Sequence, residues 1–154
     1  MSDNSIVLAS DHGGFELKEY LKKKLIKAGY NVIDFGTESG ESVDYPDVIY
    51  KAAKSISNGT YKKGVFMCGT GIGASIVANK VKNIRAALVY TKDLAILSKT
   101  HNNANVIVFG GRFIGFRKAF SLLKIWLKTP FSNDSRHVRR IEKILEVEKN
   151  ECIE

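Results

Sequence analysis

The chain has 154 residues, 44% of them hydrophobic and 26% charged, a composition typical of a single globular domain with a substantial core. No apolar run approaches the roughly 20 residues that span a bilayer, and the N-terminus is unlike a signal peptide, so we expect no membrane segment and a cytoplasmic location. The net charge of +8 could suggest a nucleic-acid partner, but the lysines and arginines are scattered over every predicted helix, which favours a solvated surface.

Apolar periodicity and turn residues predict a regular alternation of strands and helices. Strands are expected over residues 5–10, 31–35, 65–67, 84–90 and 105–109. Helices are expected from residue 15 until Gly29, from Pro46 until Asn58-Gly59, and over residues 73–81, 92–99, 115–128 and about 134–149. In the first helix the lysines should face solvent and Ile26 should belong to the apolar face. In the third helix Ile76, Val77 and Val81 should form the buried stripe.

This alternation predicts a Rossmann-like three-layer α/β/α sandwich, in which helices cover both faces of a five-stranded parallel sheet. Residues 1–154 would form one domain. The extra C-terminal helix, over about 134–149, has little sheet left to cover, and we expect it to serve as a dimerisation arm.

The segment after the third strand, Cys68-Gly69-Thr70-Gly71-Ile72-Gly73, has a glycine at every second place. Glycine permits open or left-handed backbone and the close approach of a ligand. Because a helix should follow at once, its unpaired N–H groups and its dipole would favour a phosphate or an oxyanion. The sequence therefore predicts an anion-binding loop.

Cys68 makes this loop more than a phosphate cradle, because it stands at the carboxyl end of a strand, where open α/β sheets bind ligands. The positive end of the following helix would favour a thiolate able to act as base or nucleophile. The alternative is a small hydrophobic side chain that fills the core, the commonest fate of a free cysteine. The other cysteine, Cys152, is interpreted as an unpaired thiol in the tail, since two cysteines make neither a disulfide framework nor a zinc site.

Three turns should meet at the carboxyl edge of the sheet. They are Asp11-His12 after the first strand, the loop that starts at Cys68, and Gly110-Gly111-Arg112 after the fifth strand. His101-Asn102 ends a helix instead, and so should lie toward the opposite edge. Within one chain it could not easily join the same pocket, but a second subunit could bring it there.

The order and spacing of the chain's motifs resemble the type B ribose-5-phosphate isomerases, in the family that includes galactose-6-phosphate isomerase subunits. The resemblance runs from about residue 5 to 144. The motifs that carry it are Asp11-His12-Gly13-Gly14, Asp44-Tyr45-Pro46, Cys68-Gly69-Thr70-Gly71-Ile72-Gly73, Ala78-Asn79-Lys80, His101-Asn102, Asn105-Val106, Gly110-Gly111-Arg112, and Arg136-His137 with Arg140.

The resemblance implies aldose–ketose isomerisation by proton transfer through a cis-enediolate, without a metal or a cofactor. Cys68 matches the family's base. Some relatives use a nearby glutamate instead, but this chain has Ala74 and Ser75 where that glutamate would fall. The amides from Gly69 to Gly73 would bind the enediolate oxygen. His101 matches the ring-opening residue, with help from Thr70 or Asp11.

The resemblance also implies a sugar-phosphate substrate. From the topology and the C-terminal helix we further expect an obligate homodimer, or a tetramer built as a dimer of dimers, in which Cys68 and His101 of one site come from different chains. Ribose 5-phosphate and ribulose 5-phosphate are the first expectation, and a six-carbon sugar phosphate, of allose or galactose, is the alternative. His12, Arg112, Arg136 and Arg140 would surround the phosphate. The remaining substrate-binding residues would be Asp11, Tyr45, Asn102 and the loop residues Gly69, Thr70, Gly71, Ile72 and Gly73.

Taken without the resemblance, most of these residues have ordinary structural explanations. Asp11, His12 and His101 could cap helices, Tyr45 could simply pack, and the arginines could be solvated. A nucleotide-binding module is disfavoured because the glycine loop follows the third strand and lacks a P-loop lysine. A thiol-dependent transferase or hydrolase and a non-catalytic sugar-phosphate binder stay open as alternatives. His137 and Arg139 receive no role.

Overall fold

The computed structural model describes residues 4–151, so Cys152 lies outside the described residues. Strands and helices alternate as predicted from the sequence, and most boundaries fall within two residues of the expected ones. The strands are β1 (Ser5–Ser10), β2 (Asn31–Asp34), β3 (Gly64–Cys68), β4 (Ala86–Leu88) and β5 (Val106–Gly110). The helices are α1 (Phe15–Lys27), α2 (Tyr45–Ser57), α3 (Ile72–Asn79), α4 (Lys92–Thr100), α5 (Phe116–Lys128) and α6 (Ser135–Glu151).

The five strands form one parallel sheet in the order β2-β1-β3-β5-β4. From β1 the chain passes first to β2 on one side and then to β3 on the other. The loops that leave β1 and β3 therefore diverge around a crevice at the carboxyl edge of the sheet, where open α/β sheets bind their ligands.

Two apolar cores cover the two faces of the sheet, which confirms the three-layer sandwich. One core joins the sheet to α1, α4 and α5, and its largest buried side chain is Trp126. The other joins the sheet to α2 and α3. β1, β3 and β5 are buried along their whole length, as expected for central strands of a parallel sheet covered on both sides.

Three predictions about helix faces were wrong. Lys18 is fully buried in α1, where a solvent-facing lysine was expected, because its ammonium group pairs with Asp34 of β2. Ile26, at the end of the same helix, is exposed. In α3 the buried residues are Ala74 and Ala78, whereas Ile76 is 56% exposed, because small residues let this short helix lie close to the sheet.

β4 is three residues long, shorter than the 84–90 segment predicted. It is the edge strand next to β5, and its outer side is occupied by the side chain of Asn79. The Asn79 amide accepts from the Ala86 N–H at 2.8 Å and donates to the Ala86 carbonyl at 2.9 Å. This side chain takes the place of a neighbouring strand, so the N–H and carbonyl of Ala86 are not free to pair with another chain.

α6 lies outside the two cores. Its only fully buried residue is His137, and its predicted apolar residues are half-buried (Val138, Ile141, Leu145) or exposed (Ile144, Val147). Near its far end, Glu148 accepts from the Asn83 N–H at 3.1 Å. Among residues 4–151, no helix is long and apolar enough to cross a membrane.

Candidate active site

Cys68 is the last residue of β3, and its side chain is 5% exposed at the carboxyl edge of the sheet. Its Sγ accepts a hydrogen bond from the Gly71 N–H at 3.2 Å, and its carbonyl accepts from the Gly111 N–H at 2.8 Å. An N–H donor at the sulfur stabilises negative charge there. The thiol is therefore fixed in position by the loops that follow β3 and β5.

Gly71 is the residue that makes this hydrogen bond geometrically feasible. It has φ +79°, in the left-handed region, and immediately precedes α3. A Cβ here would lie 2.5 Å from Leu88 Cδ1 and 3.0 Å from the Gly110 nitrogen. Position 71 therefore accommodates glycine alone without strain or displacement of its neighbours.

The start of α3 supplies backbone donors beside Cys68. The Gly71 N–H is engaged by the sulfur and the Ile72 N–H by Thr70 Oγ1 at 3.1 Å. The amides of Gly73 and Ala74 belong to the first turn, for which a helix itself offers no acceptor. Fewer amides than predicted are therefore available to bind an anion, because two of the loop's amides already hold the loop's own conformation.

Two neighbouring turns pack against this loop. A Cβ at Gly13, in the turn after β1, would lie 2.8 Å from the Gly69 nitrogen, so the two backbones are in direct contact. The Arg112 side chain lies over Gly69, 3.3 Å from where a Cβ would be. Asp11 is buried and accepts from the Gly14 N–H at 3.1 Å, which fixes the turn rather than capping α1 directly.

Tyr45 and His12 complete this side of the site. The Tyr45 ring covers Gly73, because a Cβ there would lie 2.6 Å from Tyr45 Cζ. His12 is half-buried, and its Nδ1 accepts from the Val43 N–H at 3.3 Å. That bond requires an unprotonated Nδ1, so the imidazole carries its proton on Nε2.

A second group of predicted residues lies elsewhere. His101 caps the C-terminus of α4 and its ring stacks on His137 of α6, with 4.1 Å between ring centroids. Arg136 and Arg140 are exposed on α6 beside this stack, and the Asn102 side chain is exposed in the turn after α4. The Arg85 guanidinium holds that turn by donating to the carbonyls of Asn102 and Asn103, both at 3.0 Å.

The two groups stand at opposite edges of the sheet. β5 connects them, since Asn105 before it bonds to Arg85 and Gly111 after it bonds to Cys68. Five strand residues rise about 16 Å. The structure thus brings together Asp11, His12, Tyr45, Arg112 and the loop from Cys68 to Gly73, and separates them from His101, Asn102, Arg136 and Arg140.

Comparison with known proteins gives one consistent result. A family model described as ribose/galactose isomerase matches residues 6–144. Ribose-5-phosphate isomerase B of Escherichia coli is 38% identical over 144 residues, which cover 94% of this chain and 96% of the relative. A crystal structure of a ribose 5-phosphate isomerase from Thermotoga maritima is 49% identical, with a TM-score of 0.89 over 92% of this chain and 97% of that one. The structure of ribose-5-phosphate isomerase B from Mycoplasma genitalium with bound ribulose-5-phosphate is 37% identical, with a TM-score of 0.90 over 94% of this chain and 96% of that one.

The chain belongs to the ribose/galactose isomerase family. It is an aldose–ketose isomerase, as the resemblance implied. Among residues 4–151 of this isomerase, no group of three or more His, Cys, Asp or Glu side chains is arranged to hold a metal ion.

Sequence reasoning gave no role to two residues that the isomerase places beside its predicted groups. Tyr90 donates to the Thr70 carbonyl at 2.6 Å, and burial, together with an electrostatic interaction with Cys68, raises its pKa. His137 is buried against His101 and its Nε2 has no partner within the described residues. In the sequence, the only indication of a role for His137 was its neighbour Arg136, which was already predicted to bind phosphate. The sequence contained no such indication for Tyr90.

Proposed function

We propose that this isomerase interconverts ribose 5-phosphate and ribulose 5-phosphate, with Cys68 as the base. The observation that carries the proposal is the setting of Cys68. Its sulfur accepts a hydrogen bond from the Gly71 N–H in the crevice between the loops that leave β1 and β3. It lies beside the first turn of α3 and under the turns that hold His12 and Arg112. Such a site presents a thiolate and oxyanion donors to the same small substrate.

In this reaction the Cys68 thiolate removes the proton from C2 of the open-chain aldose and leaves an enediolate. The hydroxyl proton moves from O2 to O1, and the same thiol returns its proton to C1 to give the ketose. The free amides of the first turn of α3 stabilise the enediolate oxygen, an effect that is worth roughly a hundredfold or more in rate for each donor. No net oxidation occurs, because the proton and electron pair shift between two adjacent carbons of one molecule.

His101 would open the sugar ring by protonating the ring oxygen, with Thr70 or Asp11 assisting. His12, Arg112, Arg136 and Arg140 would hold the phosphate, which is remote from the reacting carbons and so serves to position the sugar. In this scheme the site needs residues from both edges of the sheet, which lie about 16 Å apart along β5 in one chain.

A homodimer with composite sites would meet that requirement. Exposed apolar side chains on three helices support a second copy of the chain as the partner. They lie on α3 and α4, the helices before and after edge strand β4, and on α6: Ile72, Ile76, Leu94, Leu97, Ile144 and Val147. Exposed apolar residues concentrated on neighbouring elements mark interaction surfaces. α6 would bury the most additional surface in a dimer, since His137 is its only buried side chain.

The test is a coupled assay of purified protein on a panel of five- and six-carbon aldose phosphates. We expect kcat/KM for ribose 5-phosphate to exceed that for allose 6-phosphate and galactose 6-phosphate by at least about tenfold, since a misfitting carbon is worth about 1–3 kcal/mol. Preference for a six-carbon substrate would replace the proposed substrate and keep the reaction. Absence of turnover on every member of the panel would contradict the proposal.

A further inference from the structure

Lys18 in α1 is fully buried, an unusual place for a lysine. Its ammonium group lies 2.6 Å from Asp34 Oδ2 and 2.8 Å from Glu19 Oε1. Lys22, one turn later, reaches the same Asp34 oxygen at 2.8 Å. Two lysines thus clamp a single carboxylate at the carboxyl end of β2.

Asp34 uses its other oxygen to hold backbone. Its Oδ1 accepts from the Gly36 N–H at 2.8 Å. Burial alone would raise the pKa of this carboxyl, but the hydrogen bonds from Lys18, Lys22 and Gly36 outweigh burial and keep its pKa below the usual range. The carboxylate is therefore a charged, fully bonded anchor at the start of the segment 36–44, which we call the β2–α2 loop.

The β2–α2 loop connects this anchor to the candidate site. Gly36 and Thr37 pair with Ser10, the last residue of β1, through two hydrogen bonds of 2.7 Å. Residues 38–42 are exposed, so the course of the loop is set from its two ends. At the far end the Val43 N–H donates to His12 Nδ1, and α2 begins with Tyr45, whose ring covers Gly73.

We infer that Asp34, clamped by Lys18 and Lys22, is a positioning residue for the substrate's phosphate: it anchors the β2–α2 loop, whose Val43 N–H keeps the His12 proton on Nε2. Nε2–H is then the donor that His12 offers to a phosphate oxygen. The role of His12 in binding the phosphate rests on the proposed function. The effect of Asp34 on the His12 tautomer does not depend on that function.

The test uses the paired change Lys18→Met and Asp34→Leu, which removes both members of the buried ion pair and leaves no unpaired buried charge. Lys22→Met is the milder variant, because it leaves the buried pair intact. Glu38→Leu, which removes an exposed carboxylate from the same loop, is the matched control. All four proteins, including wild type, are compared by urea unfolding, by ¹⁵N spectra of the histidine side chains and by isomerase kinetics.

In wild type and in Glu38→Leu we expect the His12 spectrum of an imidazole protonated at Nε2 alone. In the paired variant we expect a mixture of tautomers, with KM for ribose 5-phosphate raised about five- to twentyfold and kcat within about twofold, because only ground-state positioning is lost. Lys22→Met should shift both readouts in the same direction by less, which keeps the test valid if the paired variant does not fold.

A lower unfolding midpoint with unchanged His12 tautomer and unchanged KM would reduce Asp34 to a structural role and overturn the inference. If wild type turns over none of the sugar phosphates, the proposed function fails, and the His12 spectra still decide whether Asp34 controls the tautomer. If the tautomer shifts while KM stays constant, His12 does not bind the phosphate and the positioning role is wrong.

Discussion

Cys68 is restrained both by its backbone and by its side chain. Its carbonyl bonds to Gly111, its sulfur accepts from Gly71, and its register partner in β5 is Gly110. Held this closely, Cys68 would lose little entropy on reaching the transition state in its proposed role as the base. The hydrogen bond from the Gly111 N–H and the pairing with Gly110 involve only the backbone of Cys68, so they stay in place when the side chain is replaced.

Cys68→Ala should therefore abolish isomerisation while substrate binding survives. We expect kcat to fall at least about 10²–10⁴-fold, the usual contribution of a general base, with Kd for ribose 5-phosphate within a few-fold of wild type. Cys68→Ser should be as inactive, since a hydroxyl of similar size is too weak an acid to ionise at neutral pH. Turnover and ligand affinity are measured in parallel, and turnover within a few-fold of wild type would remove Cys68 from the mechanism.

His101→Asn should separate ring opening from proton transfer. Ribulose 5-phosphate has no ring to open, because the hydroxyl that would close it carries the phosphate. At saturating substrate we expect kcat to fall about 10²-fold from cyclic ribose 5-phosphate and less than about tenfold from ribulose 5-phosphate. The comparison uses kcat, because the ratio of kcat/KM in the two directions is fixed by the equilibrium constant. Equal losses of kcat in both directions would contradict a ring-opening role.

At the scale of elements, the conformation of the loop between β3 and α3 depends on Gly71. Comparing the cost of an alanine at Gly71 with the cost at Gly59 measures this dependence. Both glycines have positive φ, +79° and +81°, but a Cβ at Gly59 would meet nothing within 4 Å, whereas one at Gly71 would collide with Leu88 and Gly110. Gly59→Ala should cost about 1–2 kcal/mol in the free energy of unfolding, from backbone strain alone. Gly71→Ala should cost about 2–5 kcal/mol, because overpacking is added. Urea unfolding measures both, and equal costs would mean that the loop yields without strain.

α6 contacts the rest of the chain through the stack of His137 on His101 near its start and through the hydrogen bond that Glu148 accepts near its far end. Burial lowers the pKa of His137, and electrostatic interactions with His101 and Arg136 lower it further against the opposing effect of Asp134. A histidine whose pKa is lowered by folding binds its proton more readily when unfolded, so stability is highest above the unfolded pKa of about 6.5 and falls as the pH drops through the folded pKa.

His137→Phe keeps an aromatic ring in the stack and removes this titration. We expect the decrease in urea midpoint between about pH 8 and about pH 5 to be smaller in His137→Phe than in wild type. Arg139→Gln, an exposed neutralisation on the same helix, should retain the wild-type decrease. An unchanged pH dependence in His137→Phe would show that this histidine is not linked to folding.

Much of the molecule could be predicted from the sequence because the signal was local. Period-2 and period-3.6 patterns, with Pro46 as a helix start and Gly29 and Gly59 as helix stops, predicted every element, and parallel order alone brought the turns after β1, β3 and β5 to one edge. What could not be predicted depended on partners distant in the chain. Lys18 is buried because Asp34 lies opposite it, and nothing in α1 indicates Asp34. The outer side of β4 is occupied by one side chain, Asn79, whose hydrogen bonds to Ala86 no periodicity in the sequence indicates.

At the scale of the whole molecule, the proposed composite site makes catalysis a property of two chains. Cys68 lies at one edge of the sheet, and His101 lies at the other beside Arg136 on α6. If each site takes Cys68 from one protomer and His101 from its partner, an isologous dimer contains two such sites, and each chain contributes half of both.

Mixing two inactive variants, Cys68→Ala and His101→Ala, tests this architecture. In a heterodimer one site would hold both substitutions and the other would hold neither, so each heterodimer should recover about half of wild-type activity. Random exchange at equal concentration makes about half of the dimers heterodimers, and the mixture should reach about a quarter of wild-type activity from parents with almost none. Differently tagged chains allow exchange to be verified by co-purification. If the verified mixture stays as inactive as its components, Cys68 and His101 are not shared across an interface, and the distance between them in one chain would have to be closed by a rearrangement of α4 and α6 instead.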